Sequence, residues 1–196
     1  MVQELDMKKE NPIVQFESTG KWEQWLKHNH EVSTGVWVRI FKKDAGKKSI
    51  TYSEALDGAL CYGWVDGQKQ KYDNLSWLQR FTPRRAKSGW SKNNTQHAEQ
   101  LIQAGKMKPA GIKEVKEAKQ VGRWEKAYDS PGNAQIPDDF RQELDKNMKA
   151  KAFFTTLNRA NTYAISYKLQ TAKKAETREK RMKNIIAMLS RGEKFH

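Results

Sequence analysis

The spacing of apolar positions changes repeatedly along this chain, and each change predicts an element. Residues 1–17 show no period and are expected to form a flexible lead-in, with Phe16 the first anchored side chain. Trp22, Trp25, Leu26 and Asn29 then recur at helical spacing, and Ser18 or Thr19 can cap a helix running to about His30. GVWVRIF, from Gly35, is rich in β-branched and aromatic residues and apolar on both faces apart from Arg39. It reads as a central strand. KKDAGKK is a charged turn, and Thr51-Tyr52-Ser53-Glu54 is a capping box opening a helix with Ala55, Leu56, Ala59 and Leu60 inward. Gly63 suits the left-handed stop of that helix.

Residues 64–72 and 75–82 read as two strands joined at Asp73-Asn74. In the second, Leu75, Trp77 and Phe81 alternate with Ser76, Arg80 and Thr82, the period of a half-exposed strand. Ser91 can cap a further helix, and Pro109 sits at the first turn of another. The turn-rich stretch GRWEKAYDSPGNAQIP ends this part of the chain, with a boundary near Pro131. Beyond it the pattern is helical throughout: Phe140, Leu144 and Met148; then Phe153, Phe154 and Leu157; then an Asn158-capped helix; then a last helix from about Thr171 to Leu189. The expected fold is α+β: a small antiparallel sheet flanked by helices over residues 18–130, followed by a helical C-terminal module over 131–192.

Composition adds a bias toward anions. The net charge is +14, and residues 68–94 carry seven Lys or Arg against one Asp. Such asymmetry favours nucleic acid, anionic lipid or smaller anions as partners. No apolar run approaches 18 residues, so no transmembrane helix is expected, and the N-terminus lacks the pattern of a signal peptide. The one cysteine, Cys61, fits a reducing compartment, and the expected location is the cytoplasm. Dinucleotide, P-loop and nucleophile-elbow signatures are absent from the sequence, so no cofactor is expected. His28 and His30, two apart on a helix, do not face each other, and no metal spacing follows from them.

Candidate chemistry concentrates between Trp64 and Asn94, where flat aromatic surface and fixed positive charge are interleaved. Trp64, Trp77 and Trp90 can stack on a planar ligand, or fill a core. Arg80, Arg84 and Arg85 can fork onto phosphate or carboxylate, or lie flat over the tryptophans. Thr82-Pro83-Arg84-Arg85 leaves a strand directly into a loop, where functional groups gather. Asp66 and Gln68 flank a turn glycine, and Ser91 opens a helix whose first amides could meet an anion or simply be capped. The expected ligand-binding set is therefore Trp64, Asp66, Gln68, Trp77, Arg80, Thr82, Arg84, Arg85, Trp90 and Ser91. The leading expectation is a binding protein without catalysis. One alternative is a nucleic-acid binder using the basic and aromatic residues of 64–94, and another an enzyme with Asp66 as base. Near the C-terminus, Arg178 borders the apolar stripe of the last helix, where a salt bridge to Asp138, Asp139 or Glu143 competes with ligand binding.

The string TYSEALDGALCYGWVDGQKQKYDNLSWLQRFTPRRAKSGWSKNN, with the strand TGVWVRIFKK before it, resembles the YdeI/OmpD-associated family, also called bacteriocin-protection proteins. The ending AKKAETREKRMKNIIAMLSRG is similar to that family's C-terminal helix. The resemblance implies a part in bacterial tolerance of bacteriocins and cationic antimicrobial peptides and in envelope stress, and carries no catalytic residues with it. At a net charge of +14, any protective effect against a cationic peptide is expected to be indirect.

Overall fold

The computed structural model describes residues 11–196. Two compact units are present. One comprises the chain up to Ser88 together with Asn94–Glu125, and the other comprises Gly89–Asn93 with Lys126–His196.

The first unit is built on a four-stranded sheet in the order β1-β2-β4-β3. Its strands are β1 (Ile13–Gln15), β2 (Val36–Phe41), β3 (Trp64–Lys71) and β4 (Ser76–Pro83). β2, β4 and β3 are antiparallel neighbours, as the alternation predicts. β1 pairs in parallel with β2, Val14 opposite Val38, so the sheet is mixed rather than purely antiparallel. Residues 1–10 of the expected lead-in lie outside the described residues, while Ile13–Gln15 is a strand and Phe16 is buried.

Val36, Val38 and Ile40 of β2 and Phe81 of β4 bury one sheet face against two helices, α1 (Thr19–Asn29) and α2 (Tyr52–Cys61). α1 starts where Ser18 accepts the amide of Lys21. Its inward residues are Trp22 and Leu26, and the indole of Trp22 donates to the Ala55 carbonyl at 3.0 Å. Each fully buried side chain of this size contributes about 1.5–3 kcal/mol. α2 opens with both arms of the capping box in place. At its end Gly63 adopts φ 74°, the left-handed geometry that glycine takes without a Cβ clash, and this swings the chain into β3.

In the β3–β4 hairpin Asp73 accepts from the Leu75 amide and the Ser76 hydroxyl, both at 2.8 Å, which fixes the turn. The register slips between Asp66 and Lys69, a bulge beside Gly67. α3 (Lys92–Gln103) presents Ala98 and Leu101 inward, and α4 (Pro109–Gln120) presents Gly111, Val115 and Ala118. α4 runs so close to α2 that a Cβ on Gly111 would lie 2.5 Å from the Cys61 carbonyl oxygen.

The second unit holds α5 (Asp138–Asp145), α6 (Met148–Phe154), α7 (Arg159–Gln170) and α8 (Ala175–Ser190). Phe140, Leu144, Ala150, Ile165, Leu169, Ile185 and Leu189 form its core. Asn147 and Asn158 cap α6 and α7 through their side-chain oxygens. Arg178 pairs with Asp139, one of the three acids the sequence offered, and a second guanidinium nitrogen reaches the same carboxylate at 3.0 Å. Buried Asn161 pins the chain end by accepting the amides of Phe195 and His196.

Candidate functional site

Trp64, Trp77 and Arg80 of the first unit do not gather in one place. Trp64, at the start of β3, is 1% exposed; it meets Trp25 edge-on at 5.7 Å, and its indole donates to the His30 carbonyl at 3.1 Å. Trp77 is half-buried on the core-facing side of β4, with the Lys69 ammonium 4.7 Å from its ring. Trp90 is buried and belongs to the second unit, where its carbonyl accepts the Tyr128 amide at 3.0 Å. Ser91, also buried, bridges to Tyr128 in the same short arm.

The cations separate as well. Arg80 projects from the other face of β4 and donates twice to the Asn11 side-chain oxygen, at 3.0 and 2.8 Å. Thr82 is opposite Val65 in the ladder. Arg85 is exposed in a turn closed by Ser88, whose hydroxyl accepts the Arg85 amide. Gln68 is exposed beyond the bulge. Asp66 accepts from the Tyr52 hydroxyl at 2.8 Å and from the Asn94 amide nitrogen at 3.0 Å, so both oxygens serve the packing of its neighbours.

Trp64 and Arg84 are brought together. Both line an open cleft of about 1060 Å³ in the first unit. One wall is α1 and the residues just after it, with Glu23, Lys27, His28, His30 and Glu31; the opposite wall is the start of α4, with Lys108, Pro109, Ala110, Lys113 and Glu114. The strand ends supply the floor: Tyr62, Gly63 and Trp64 from one side, Pro83 and Arg84 from the other. The Arg84 amide donates to the Gly63 carbonyl at 3.0 Å, which locks the two strand ends together, and the Arg84 side chain is buried.

Three features give the cleft its polarity. First, α4 begins with proline and has no side-chain cap at Lys108, whose amide donates to the Cys61 carbonyl at 3.2 Å, and the positive end of its dipole lies at the cleft. Second, four basic residues, Lys27, Arg84, Lys108 and Lys113, line it against three acids, Glu23, Glu31 and Glu114. Glu23 is engaged by Lys108 at 2.8 Å, and that contact raises the lysine's pKa through the hydrogen bond first and the charge second. Third, burial, and then the charge of Glu117, pushes the Glu114 carboxyl above the usual range, against the opposing pull of Arg84 and Arg123. Its buried Oε2 has no hydrogen-bond partner among the described residues. His28 and His30 both donate through Nδ1 to carbonyls one turn back, those of Gln24 and Leu26, which fixes the rings. Cys61 is buried and its thiol is pushed up to about 11 by burial, which leaves it inert as a nucleophile. Among the described residues no cluster of three His, Cys, Asp or Glu could hold a metal ion.

Residues 14–114, more than half of the chain, match the family described as Domain of unknown function (DUF8412). The chain belongs to the DUF8412 family. Residues 133–192 match a second family, Bacteriocin-protection, YdeI or OmpD-Associated. The YdeI/OmpD-associated relationship is thus carried by the C-terminal helices, while the long tryptophan–arginine string and the cleft lie in the DUF8412 portion. Among curated proteins, the chain is 30% identical over 111 residues to enolase-phosphatase E1 of Neurospora crassa, covering 53% of this chain and 47% of the relative. The figures are the same for enolase-phosphatase E1 of Sordaria macrospora. The chain therefore spans about half the length of these relatives. No solved structure matches it.

The floor of the cleft was visible in sequence through Trp64 and Arg84. The walls were not, because α1 and α4 are more than 70 residues apart in the chain and only the fold joins them. One local signal did exist. Lys108-Pro109 announces a helix start with no Ser, Thr, Asp or Asn to cap it.

Proposed function

We propose that this is a binding protein that holds a small anionic ligand in the cleft between α1 and α4. The observation that carries the reading is the convergence there of the uncapped start of α4, the buried guanidinium-bearing residue Arg84, and Lys27 and Lys113. Backbone amides at a helix start and lysine ammonium groups are both suited to carboxylate or phosphate oxygens. No helix among the described residues is long and apolar enough to cross a membrane, and the reading places the protein in the cytoplasm. Its YdeI/OmpD-associated C-terminal helices link it to bacteriocin and antimicrobial-peptide tolerance, acting through the bound ligand rather than by attracting the cationic peptide. The fungal relatives bear the name of a phosphatase, and a phosphorylated ligand falls within the same anionic class.

A thermal-shift panel of small carboxylates and phosphates tests this. A ligand present at 100 times its dissociation constant stabilises the folded state by about 2.7 kcal/mol. The expected result is a rise in melting temperature with at least one anion, reduced in Lys113→Glu, which reverses an exposed wall charge. Absence of any shift across the panel at millimolar concentration would remove the reading.

A further inference from the structure

A second surface of the first unit also combines aromatic rings with positive charge, and it lies outside the cleft. It forms where the loop after β2 meets the β3–β4 hairpin. The two are tied by the Lys42 amide, which donates to the Leu75 carbonyl at 2.9 Å, and by the Lys42 ammonium, which donates to the Asn74 carbonyl at 2.8 Å. The loop KKDAGKK thereby sets Lys42, Lys43, Lys47 and Lys48, all exposed, beside the end of the sheet. On the sheet Arg39 is sandwiched between two rings, its guanidinium carbon 4.5 Å from the Phe41 centroid and 4.7 Å from that of Tyr72. Asp73 holds Arg39 from the hairpin turn at 2.6 Å and so has its charge matched locally; Asp44 lies in the loop, and Glu17, close enough to feel the charge of Lys48, is paired with Lys21. Tyr72 remains 49% exposed.

We propose that this patch binds single-stranded nucleic acid, with backbone phosphates on Lys43, Lys47 and Lys48 and an unpaired base stacked on Tyr72. Charge complementarity selects the partner class: four lysines face one unmatched acid. The ring selects single strands over duplex, because only an unpaired base offers a face to an exposed aromatic side chain. Arg39 packs against the Tyr72 ring, which sets the ring in place before a base arrives. The proposal is independent of the cleft, since none of its residues lines it.

The test is fluorescence anisotropy of the full chain with labelled oligo-dT and oligo-U, beside a duplex of equal length. With roughly three phosphate contacts, single-strand affinity should fall on the order of 20-fold between 50 and 200 mM salt. Tyr72→Ala should weaken binding roughly tenfold, in line with the loss of one stacked base. Tyr72→Phe should retain binding, since it keeps the ring. Lys43→Glu with Lys47→Glu should weaken it further and flatten the salt dependence. These substitutions are at exposed positions, and circular dichroism verifies the fold of each variant. A preference between the dT and U arms identifies DNA or RNA as the natural strand. The proposal is overturned by no binding to either strand at 50 mM salt, by duplex binding as tight as single strand, or by equal affinity in the parent and Tyr72→Ala.

Discussion

Replacing Gly111 by alanine probes the seam on which the cleft depends, the close approach of α4 to α2. In an isolated helix this change is favourable by about 1 kcal/mol, because alanine loses less backbone entropy than glycine. Here the new methyl carbon would lie 2.5 Å from the Cys61 carbonyl oxygen and 2.6 Å from that of Leu60, whereas ordinary contact begins at 3.4 Å. A separation of about 0.9 Å must therefore open between two backbones. α2 cannot retreat, because Leu56 and Leu60 are buried in the core, so α4 must move. Overpacking of this kind costs about 1–3 kcal/mol. Moving α4 also stretches the bond from the Lys108 amide to the Cys61 carbonyl, already 3.2 Å long, worth about 1 kcal/mol. After the helical gain is subtracted, a net loss of about 1–3 kcal/mol is expected. Urea titration followed by tryptophan fluorescence measures it, and every tryptophan except Trp90 lies in the first unit, so the signal reports the right part of the chain. Gly20→Ala is the control. A Cβ there meets no atom closer than 4.0 Å, and the change should stabilise by roughly 0.5 kcal/mol. If Gly111→Ala stabilises as Gly20→Ala does, the packing of α4 described above is wrong.

Three further substitutions have defined outcomes. Glu114→Gln removes a carboxyl whose pKa is raised in the folded state by burial; such a group favours folding below its unfolded value of about 4.3 and loses that contribution as pH rises through the folded value. The variant should therefore gain stability over the parent at pH 8 and match it near pH 4, read as paired melting temperatures. Arg178→Ala removes the partner that holds Asp139 below the usual carboxylate range through its hydrogen bond first. The pair is partly exposed, so the loss at pH 7 should be about 0.2–1 kcal/mol, and it should vanish as Asp139 protonates at low pH in a urea titration. Thr51→Ala deletes the capping-box hydroxyl of α2 and should cost about 1 kcal/mol, with Glu54→Ala adding less than its single effect, because the two side chains act as one unit.

Elements governed by local rules were legible in the sequence. Ser18, the Thr51–Glu54 box, Gly63, Pro109 and Asn158 each mark a boundary where the structure has one, because a cap or a left-handed glycine is decided within a few residues. β1 was not legible: three residues, Ile-Val-Gln, become a strand only by pairing with Trp37–Arg39. The separation of Trp77 from Arg80 has a simple cause. On β4, Trp77 and Arg80 are three residues apart, and a strand sends odd separations to opposite faces. That could have been read from the spacing alone. Trp90 and Ser91 were beyond reach, since their arm pairs with Tyr128, more than 35 residues away.

Backbone amide chemical-shift mapping with inorganic phosphate and a small dicarboxylate tests the cleft most directly. The expected result is a saturable set of shifts at His28–Glu31, Gly63, Arg84 and the first turns of α4 from Ala110 to Glu114, all following one isotherm. Shifts that fail to saturate, or that fall on the lysine loop at 42–48 while the start of α4 stays still, would contradict an anion site between α1 and α4.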